Sequence, residues 1–209
     1  LAMPDCAAEG EVATATRVRD VHVVLTHLTP HGVGPNIAEA RSLLAHVAAS
    51  VPAGEAAFVM GDFNSLSPLD APAYAAGRTI DALVGADKRS GENALKKKFV
   101  EIGVRADAAE ARSLSFAAHA LLLAGGLVDV WAATAPVGGK AAGAGAKRAW
   151  QSSVPTALHV DAMHATAMRL DYIYANGALV AATSHRSAAI FTDRYSATLS
   201  DHFPSLAIV

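Results

Sequence analysis

The sequence has a single cysteine, no long apolar run and few charged residues. Cys6 is the only cysteine among 209 residues, which excludes an internal disulfide and a zinc site made of cysteines. No apolar run reaches the roughly 20 residues that a membrane-spanning helix needs. Charged residues make up 17% of the chain and the formal net charge is -2, so the composition does not favour long-range attraction to a polyanion. We expect no membrane span, and the cysteine usage weakly favours an intracellular location.

The length and composition are those of one sizeable globular domain. Hydrophobic residues make up 52% of the chain, and 209 residues can bury a real core whereas two domains would be cramped. We therefore predict a single domain over residues 1–209. A glycine- and alanine-rich tract near 136–149 predicts a flexible insertion on its surface.

The first half of the chain has the pattern of a layered α/β domain. The β-branched run Val21–Leu28 predicts a strand. Apolar residues at helical spacing follow, with Asn36 as the expected N-cap and an end near Pro52. The short apolar run Ala56–Met60 predicts a strand buried on both faces. Strand, helix and strand of these lengths argue against a helical bundle.

The second half predicts both helices and strands. Residues 92–101 and 107–124 have helical patterns, and Gly125 with Gly126 is a typical helix end. Residues 168–175 predict a strand, and Asn176 with Gly177 predicts a hairpin turn into a strand over Leu179–Ala182. Further strands are expected over 187–191 and 203–209. Tyr172 and Tyr174 share one face of their strand, where we expect core packing rather than substrate stacking.

Four short polar segments follow or interrupt apolar runs, as expected of side chains that line a crevice at strand ends. Together they offer carboxylates, an amide and two imidazoles, with no thiol and no glycine-rich phosphate loop. This set suits hydrolysis assisted by a hard cation such as Mg²⁺. The segments are Thr26-His27-Leu28, Gly61-Asp62-Phe63-Asn64, Arg169-Leu170-Asp171-Tyr172 and Ser200-Asp201-His202.

These segments, in this order, resemble the endonuclease/exonuclease/phosphatase superfamily of metal-dependent phosphoesterases. The resemblance implies an α/β four-layer sandwich of two packed mixed β-sheets flanked by helices. It also implies hydrolysis of a phosphodiester or phosphomonoester by in-line attack of water, with Mg²⁺ or Mn²⁺ as cofactor. The substrate is open: a nucleic acid, a phospholipid headgroup and an inositol phosphate all fit. We expect a monomer.

The resemblance assigns the first two catalytic roles to the Gly-Asp-Phe-Asn segment. Asp62 would orient and deprotonate the attacking water as general base. Asn64 would donate its amide to the phosphoryl oxygens as charge develops. The ordinary alternative for both residues is a polar turn after a strand.

The other roles fall on the remaining three segments. His202 would contact the scissile phosphate, with Asp171 fixing its tautomer. Asp201 would bind the metal, and His27 would be a second imidazole near the phosphate. The ordinary alternatives are a surface pair for Asp201 and His202, a partner for Arg169 in the case of Asp171, and a satisfied core histidine for His27.

The sequence departs from the family pattern at its N-terminal end. The family places an Asn and a metal-binding Glu on strands ahead of Thr-His-Leu, but Glu9 and Glu11 are the only glutamates before His22 and have no strand context. We therefore expect that the N-terminal part of the domain is missing and that this chain alone binds metal poorly and hydrolyses slowly. The alternative is an impaired enzyme, or pseudo-enzyme, that acts as a binding module.

One further cluster suggests a metal site. His159, Asp161 and His164 lie close together just before the Arg-Leu-Asp-Tyr segment. The family carries variable substrate-facing loops at this place, so we favour a loop at the rim of the substrate site over a zinc site.

Overall fold

The computed structural model describes residues 20–90, 98–104, 110–136, 150–155, 164, 166–182 and 187–208. Within them the chain alternates between strands and mostly short helices. The strands are β1 (Val21–His27), β2 (Ala56–Asp62), β3 (Val100–Val104), β4 (Glu110–Leu114), β5 (Val128–Asp129), β6 (Ala135–Pro136), β7 (Asp171–Ala175), β8 (Ser187–Ile190) and β9 (Ser205–Ile208). The helices are α1 (Val33–Ser50), a 3-10 turn (Pro68–Asp70), α2 (Ala71–Ala76), α3 (Thr79–Ser90), α4 (Ala117–Ala124), α5 (Val130–Ala133), α6 (Gly177–Ala182) and α7 (Arg194–Leu199).

A mixed four-stranded sheet in the order β1-β2-β7-β5 is the centre of the structure. β1 and β2 are parallel, and α1 connects them, because parallel neighbours need a crossover rather than a tight turn. β7 runs antiparallel to both of its neighbours, β2 and β5. A second sheet has the order β6-β8-β9, and β3 and β4 form a hairpin. This architecture confirms a mixed α/β protein with several sheets.

The predicted strand-helix-strand unit is confirmed, but its expected cap is wrong. α1 begins at Val33, so Asn36 lies inside the first turn, where it is buried. Its side-chain nitrogen donates to the carbonyl oxygens of Thr29, at 3.1 Å, and Phe63, at 2.8 Å. Asn36 therefore joins the loops that follow β1 and β2 instead of capping the helix.

Two predictions in the second half are wrong. Asn176 and Gly177 do not form a hairpin turn. The Asn176 side chain accepts from the backbone N–H of Leu179 at 3.0 Å, an N-capping bond that starts helix α6 where a strand was predicted. The predicted helix over 107–124 is also wrong in its first half, because residues 110–114 pair with β3 and, among the described residues of this range, the helix covers 117–124.

Other predictions stand in part or lie outside the described residues. The helix predicted over 92–101 is described only from residue 98, and its end is wrong because Val100 already begins β3. α4 ends at Gly125 and Gly126 as predicted, and Gly126 has a φ of 87°. Residue 136 ends β6, and the remainder of the glycine- and alanine-rich tract, 137–149, is outside the described part of the chain.

The two faces of the central sheet have different surroundings. Tyr172 and Tyr174 are buried, as predicted, and their rings stack with centroids 5.9 Å apart in a core that α1 and α4 help to form. On the opposite face Ile173 packs in a cluster that includes residues of β8 and β9. The β1 residues of that face are exposed: Val21, Val23 and Leu25 by 43%, 56% and 74%. No helix in the described residues combines the length and apolar character needed to cross a membrane.

Arg169 is the largest fully buried side chain in the described part of the chain. Its Nη1 and Nη2 form a two-pronged pair with Asp129, at 3.0 and 2.5 Å, and its Nε donates to Asp70 at 2.9 Å. The guanidinium carbon also lies 4.3 Å from the ring centre of Tyr172 and 4.8 Å from that of Trp131. One cation thus pairs with two buried carboxylates and joins the 3-10 turn, β5 and the residues just before β7.

His119 is a second buried polar side chain, on α4 against the tyrosine face. Its Nε2 is 3.2 Å from the carbonyl oxygen of Ser65, and its Nδ1 is 2.5 Å from the hydroxyl of Tyr174. Because a carbonyl can only accept, we assign the proton to Nε2, which leaves Nδ1 to accept from Tyr174. Burial, followed by the charge of Arg169, lowers the pKa of His119 to about 3.

Removing the buried cation should destabilise the fold strongly. Arg169→Met leaves Asp70 and Asp129 buried without their partner, and breaking a buried ion pair in this way costs about 3–5 kcal/mol. Arg78→Met is the matched control, since Arg78 is exposed and pairs with Asp81; its cost should stay below about 1 kcal/mol. Urea unfolding of both variants measures the difference. Equal, small losses would show that Asp70 and Asp129 do not depend on the Arg169 cation.

The buried neutral imidazole should make stability depend on pH. Because the folded pKa of about 3 lies below the unfolded value, only the unfolded state gains a proton as pH falls below about 6.5. By this linkage His119 should cost the folded state about 2 kcal/mol between pH 7 and pH 5. His119→Gln should lack this component. Urea unfolding at the two pH values checks it, and parallel losses in both proteins would contradict it.

Candidate active site

The strand register brings three of the predicted site residues into one row. β1 pairs His27 with Asp62, and β2 pairs Asp62 with Asp171. β1 and β2 end at this edge of the sheet, whereas antiparallel β7 begins there. Because side chains alternate along each strand, the three side chains share the face that carries Leu25, Met60 and Ile173. The row forms the floor of the candidate site.

The backbone of the Gly-Asp-Phe-Asn segment explains two of its residues. Gly61 has a φ of 145°, and a Cβ there would lie 1.8 Å from the carbonyl oxygen of Thr26. Only glycine allows β1 and β2 to approach so closely. Asn64 has a φ of 48°, in the left-handed region that asparagine tolerates better than most residues. This turn directs the Asn64 side chain back toward Asp62.

Asp62 is held by Asn64 through both carboxylate oxygens. The backbone N–H of Asn64 donates to Oδ1 at 2.7 Å, and its side-chain nitrogen donates to Oδ2 at 2.9 Å. The same nitrogen donates to the carbonyl oxygen of Leu28 at 2.9 Å. Both amide hydrogens of the buried Asn64 therefore have protein acceptors. This geometry favours a positioning role over the phosphoryl contact that the resemblance implies.

His202 lies over the row from the loop before β9. Its Nδ1 is 2.7 Å from Oδ2 of Asp171, and since the carboxylate can only accept, we assign the proton to Nδ1. Its Nε2 then faces Oδ2 of Asp62 at 3.9 Å, while Nε2 of His27 is 3.4 Å from the same oxygen. Two imidazoles thus flank one partly buried carboxylate.

The electrostatic environment raises the pKa of both central groups. Burial raises the pKa of Asp62, the charge of Asp171 adds to this, and the hydrogen bond from Asn64 opposes it. Burial lowers the pKa of His202, but its hydrogen bond with Asp171 and the charges of Asp171, Asp62 and Asp201 outweigh burial, so the net shift is upward. Asp62 is thereby a stronger base than an ordinary carboxyl group, and His202 a stronger base than a free imidazole.

Ser153 is a site residue that sequence reasoning missed. Its hydroxyl accepts from the backbone N–H groups of Leu170, at 2.8 Å, and Asp171, at 3.1 Å. Its carbonyl accepts from the N–H of Phe203 at 2.7 Å. One buried serine therefore fixes the start of β7 against the loop that carries His202. Its flanking sequence, Gln-Ser-Ser-Val, gives no signal of this role.

Four predicted side chains offer oxygen or nitrogen atoms close enough to hold a cation. Asp62, Asp171 and His202 form one such group, and Asp201 joins His202 and His164 in another. Asp201 is exposed beside His202, so it is open to a cation from solvent. His164 was expected in a rim loop, and the structure places its ring 5.1 Å from that of His202. Its sequence neighbours His159 and Asp161 lie outside the described residues.

Comparison with known proteins identifies the family of this chain. The chain has 18% sequence identity to an AP endonuclease from Archaeoglobus fulgidus, with a TM-score of 0.45 over 90% of this chain and 61% of that protein. The chain therefore spans less than two thirds of the length of that structure. No curated protein matches the sequence. The family model of the Endonuclease/Exonuclease/phosphatase family, in contrast, matches residues 3–202. The chain belongs to the endonuclease/exonuclease/phosphatase family.

Proposed function

We propose that this protein is a metal-dependent hydrolase that cleaves a phosphodiester or phosphomonoester by direct attack of water. The observation that carries the proposal is the arrangement of Asp62. Its carboxylate is partly buried, both of its oxygens are held by Asn64, and the imidazoles of His27 and His202 lie within 4 Å of one oxygen. A fixed base between two cationic or hydrogen-bonding groups suits attack on a phosphate.

Asp62 is the general base of this reaction. A base must lie within hydrogen-bond reach of the proton that it removes and must bind that proton readily. The raised pKa of Asp62 means that it binds a proton readily. Its position between His27 and Asp171, at the edge of the sheet, supports reach to a water that attacks the phosphate. Asn64 keeps the carboxylate in one orientation, so little reorganisation precedes proton transfer.

His202 contacts the phosphoryl group, and Asp171 orients it. Asp171 accepts the Nδ1 proton, which directs Nε2 into the site. A proton on Nε2 can then donate to a phosphoryl oxygen as negative charge develops. His27, whose side chain is 72% exposed, supplies a second imidazole from the edge of the crevice.

The donor set fits a hard divalent cation. Asp62, Asp171 and Asp201 bring three carboxylates to one edge of the sheet, and oxygen ligands of this kind are those that Mg²⁺ and Mn²⁺ prefer. Asp201 is the first candidate ligand, because Asp171 already bonds His202 and Asp62 already bonds Asn64. A bound Mg²⁺ or Mn²⁺ would polarise the phosphoryl oxygens and offset the charge that develops on them.

We also propose that the fold is completed as a four-layer sandwich. On the crevice face, the sheet of β6, β8 and β9 packs near β7, whereas Val21, Val23 and Leu25 of β1 are exposed. A row of exposed apolar residues beside a packed region is typical of a surface that another element covers.

The catalytic proposal predicts large activity losses from small substitutions. Asp62→Asn removes the base and His202→Gln removes the imidazole, and each should lower the rate by about 10²–10⁴-fold. His46→Gln, on the outer surface of α1, should keep the parent rate. Hydrolysis of bis-p-nitrophenyl phosphate by this chain with Mg²⁺ or Mn²⁺, and with EDTA, gives the rates.

Two results would count against this proposal. Parent rates in both Asp62→Asn and His202→Gln would refute the site assignment. Metal binding without any hydrolysis, of this diester or of nucleic acid, phospholipid and inositol phosphate substrates, would favour a binding module instead.

The sandwich proposal predicts that Leu25 is covered in the folded protein. Leu25→Glu would then bury a charge, which should destabilise the protein by more than about 2 kcal/mol. Leu69→Glu is the control, because Leu69 is also exposed but lies in the 3-10 turn; its effect should be near the 0.5 kcal/mol or so typical of surface changes. Similar small effects in urea unfolding would mean that the β1 face is open to solvent.

A further inference from the structure

The ring of His164 lies against the ring of His202, although His164 belongs to none of the four polar segments. The side chain is buried, and its ring meets that of His202 edge to face, with centroids 5.1 Å apart and an interplanar angle of 86°. A ligand nitrogen of His164, one of His202 and a carboxylate oxygen of Asp201 all lie within 4.8 Å of one another.

We propose that His164, Asp201 and His202 form a binding site for a transition-metal ion of the Zn²⁺ class, which shares Asp201 with the proposed Mg²⁺ or Mn²⁺ site but adds two imidazole ligands. The site itself depends on the donor geometry alone. Its effect on activity, described below, rests on the proposed hydrolysis.

The donor chemistry selects the class of ion. Two imidazoles and one carboxylate match the three-ligand sets that hold Zn²⁺ and leave one position open. Mg²⁺ prefers oxygen ligands and keeps much of its water, so it gains little from His164. Imidazole-rich sites bind Zn²⁺ and its first-row neighbours more tightly than Mn²⁺.

The orientation of His202 is that of a metal ligand. Its Nδ1 is bonded to Asp171, so Nε2 is the nitrogen that remains for an ion. A histidine that binds a metal usually donates its other ring N–H to a carboxylate or carbonyl, which fixes the ring and strengthens the ligand. The Asp171–His202 pair therefore serves either function without rearrangement.

The distances require only a small adjustment. Ligand atoms bound to Zn²⁺ lie about 2.0–2.2 Å from it, so two of them are at most about 4.4 Å apart. The donor atoms lie within 4.8 Å of one another, so at most a small closure is needed to bind an ion. The side chain of Asp201 is exposed and can rotate toward an ion, whereas the side chain of His164 is buried and has little freedom to move.

Occupancy of this site should inhibit hydrolysis. An ion bound to Nε2 of His202 takes the same atom that faces Asp62 at 3.9 Å and that we assign to the phosphate. Binding of Zn²⁺ and contact of His202 with the phosphate therefore exclude each other. Micromolar Zn²⁺ in the presence of Mg²⁺ would then lower activity, and a chelator selective for Zn²⁺ would restore it.

Direct binding of Zn²⁺ and Co²⁺ to the 209-residue chain tests the site independently of activity. Calorimetric titration should give about one tight Zn²⁺ per chain, and Co²⁺ should show visible absorption from nitrogen and oxygen ligation. His164→Gln removes a proposed ligand and should weaken Zn²⁺ binding by at least about tenfold, because loss of even a residue that only supports a ligand costs about 10–100-fold in metal affinity. Asp201→Asn, an exposed change that should not disturb folding, should weaken it similarly. His46→Gln, an exposed histidine on α1, should bind as the parent does.

The results separate this site from the proposed hydrolysis. Weaker Zn²⁺ binding in both His164→Gln and Asp201→Asn supports the site even if no substrate is ever cleaved. Parent-like Zn²⁺ affinity in the two variants, or absence of Zn²⁺ binding by the parent chain, would overturn it.

Discussion

The pairing of β2 with β7 is the constraint on which the candidate site depends. Antiparallel register sets Asp62 directly opposite Asp171, and opposite residues have Cβ atoms only about 5 Å apart. Two carboxylates at that distance repel each other, and burial strengthens the repulsion. The fold therefore needs positive charge or hydrogen-bond donors at this place. His202, His27 and Asn64 surround the pair, and a divalent cation would complete the compensation. The electrostatic cost of placing Asp62 opposite Asp171 is a reason to expect a functional site at this place.

The same strand serves the core and the site through its alternation. Asp171, Ile173 and Ala175 face the crevice side, whereas Tyr172 and Tyr174 face the helices. Any shift of one residue in register would exchange the two sets. Packing of the two tyrosines therefore fixes the register of β7. Their rings stack on each other, and the ring of Phe63 contacts both of them edge to face. Phe63 belongs to the Gly-Asp-Phe-Asn segment, so the aromatic residue of that segment is a core residue that places its polar neighbours.

The sequence predicted which side chains lie together better than it predicted the elements that carry them. The segments of Asp62, Asp171, His202 and His27 follow or interrupt apolar runs, which is a local signal, and the family resemblance supplied their expected roles. Ser153 was missed because it acts through long-range contacts that no local pattern encodes, and the contact of His164 with His202 is of the same kind, although His164 was expected in a loop at the rim of the site. Asn176 with Gly177 predicted a turn by its dipeptide preference, but the asparagine side chain also accepts from Ala57 and donates to Glu55. Those tertiary bonds favour its use as a helix cap, and tertiary context overrides local preference in such cases.

Buried polar groups determine how firmly the site is supported. Arg169 lies two residues before Asp171 and is held by Asp70 and Asp129, so the position of β7 depends on an ion network beneath the site. Such networks contribute less to stability than apolar packing of the same volume, because desolvation offsets most of the Coulombic attraction. They do restrict geometry, since a guanidinium bonded in two directions has one acceptable orientation. Catalysis depends on placement to within a fraction of an ångström. The Arg169 network therefore adds little stability but fixes one orientation at the start of β7. It thereby sets the position of Asp171 and, through the Asp171–His202 hydrogen bond, the position of His202.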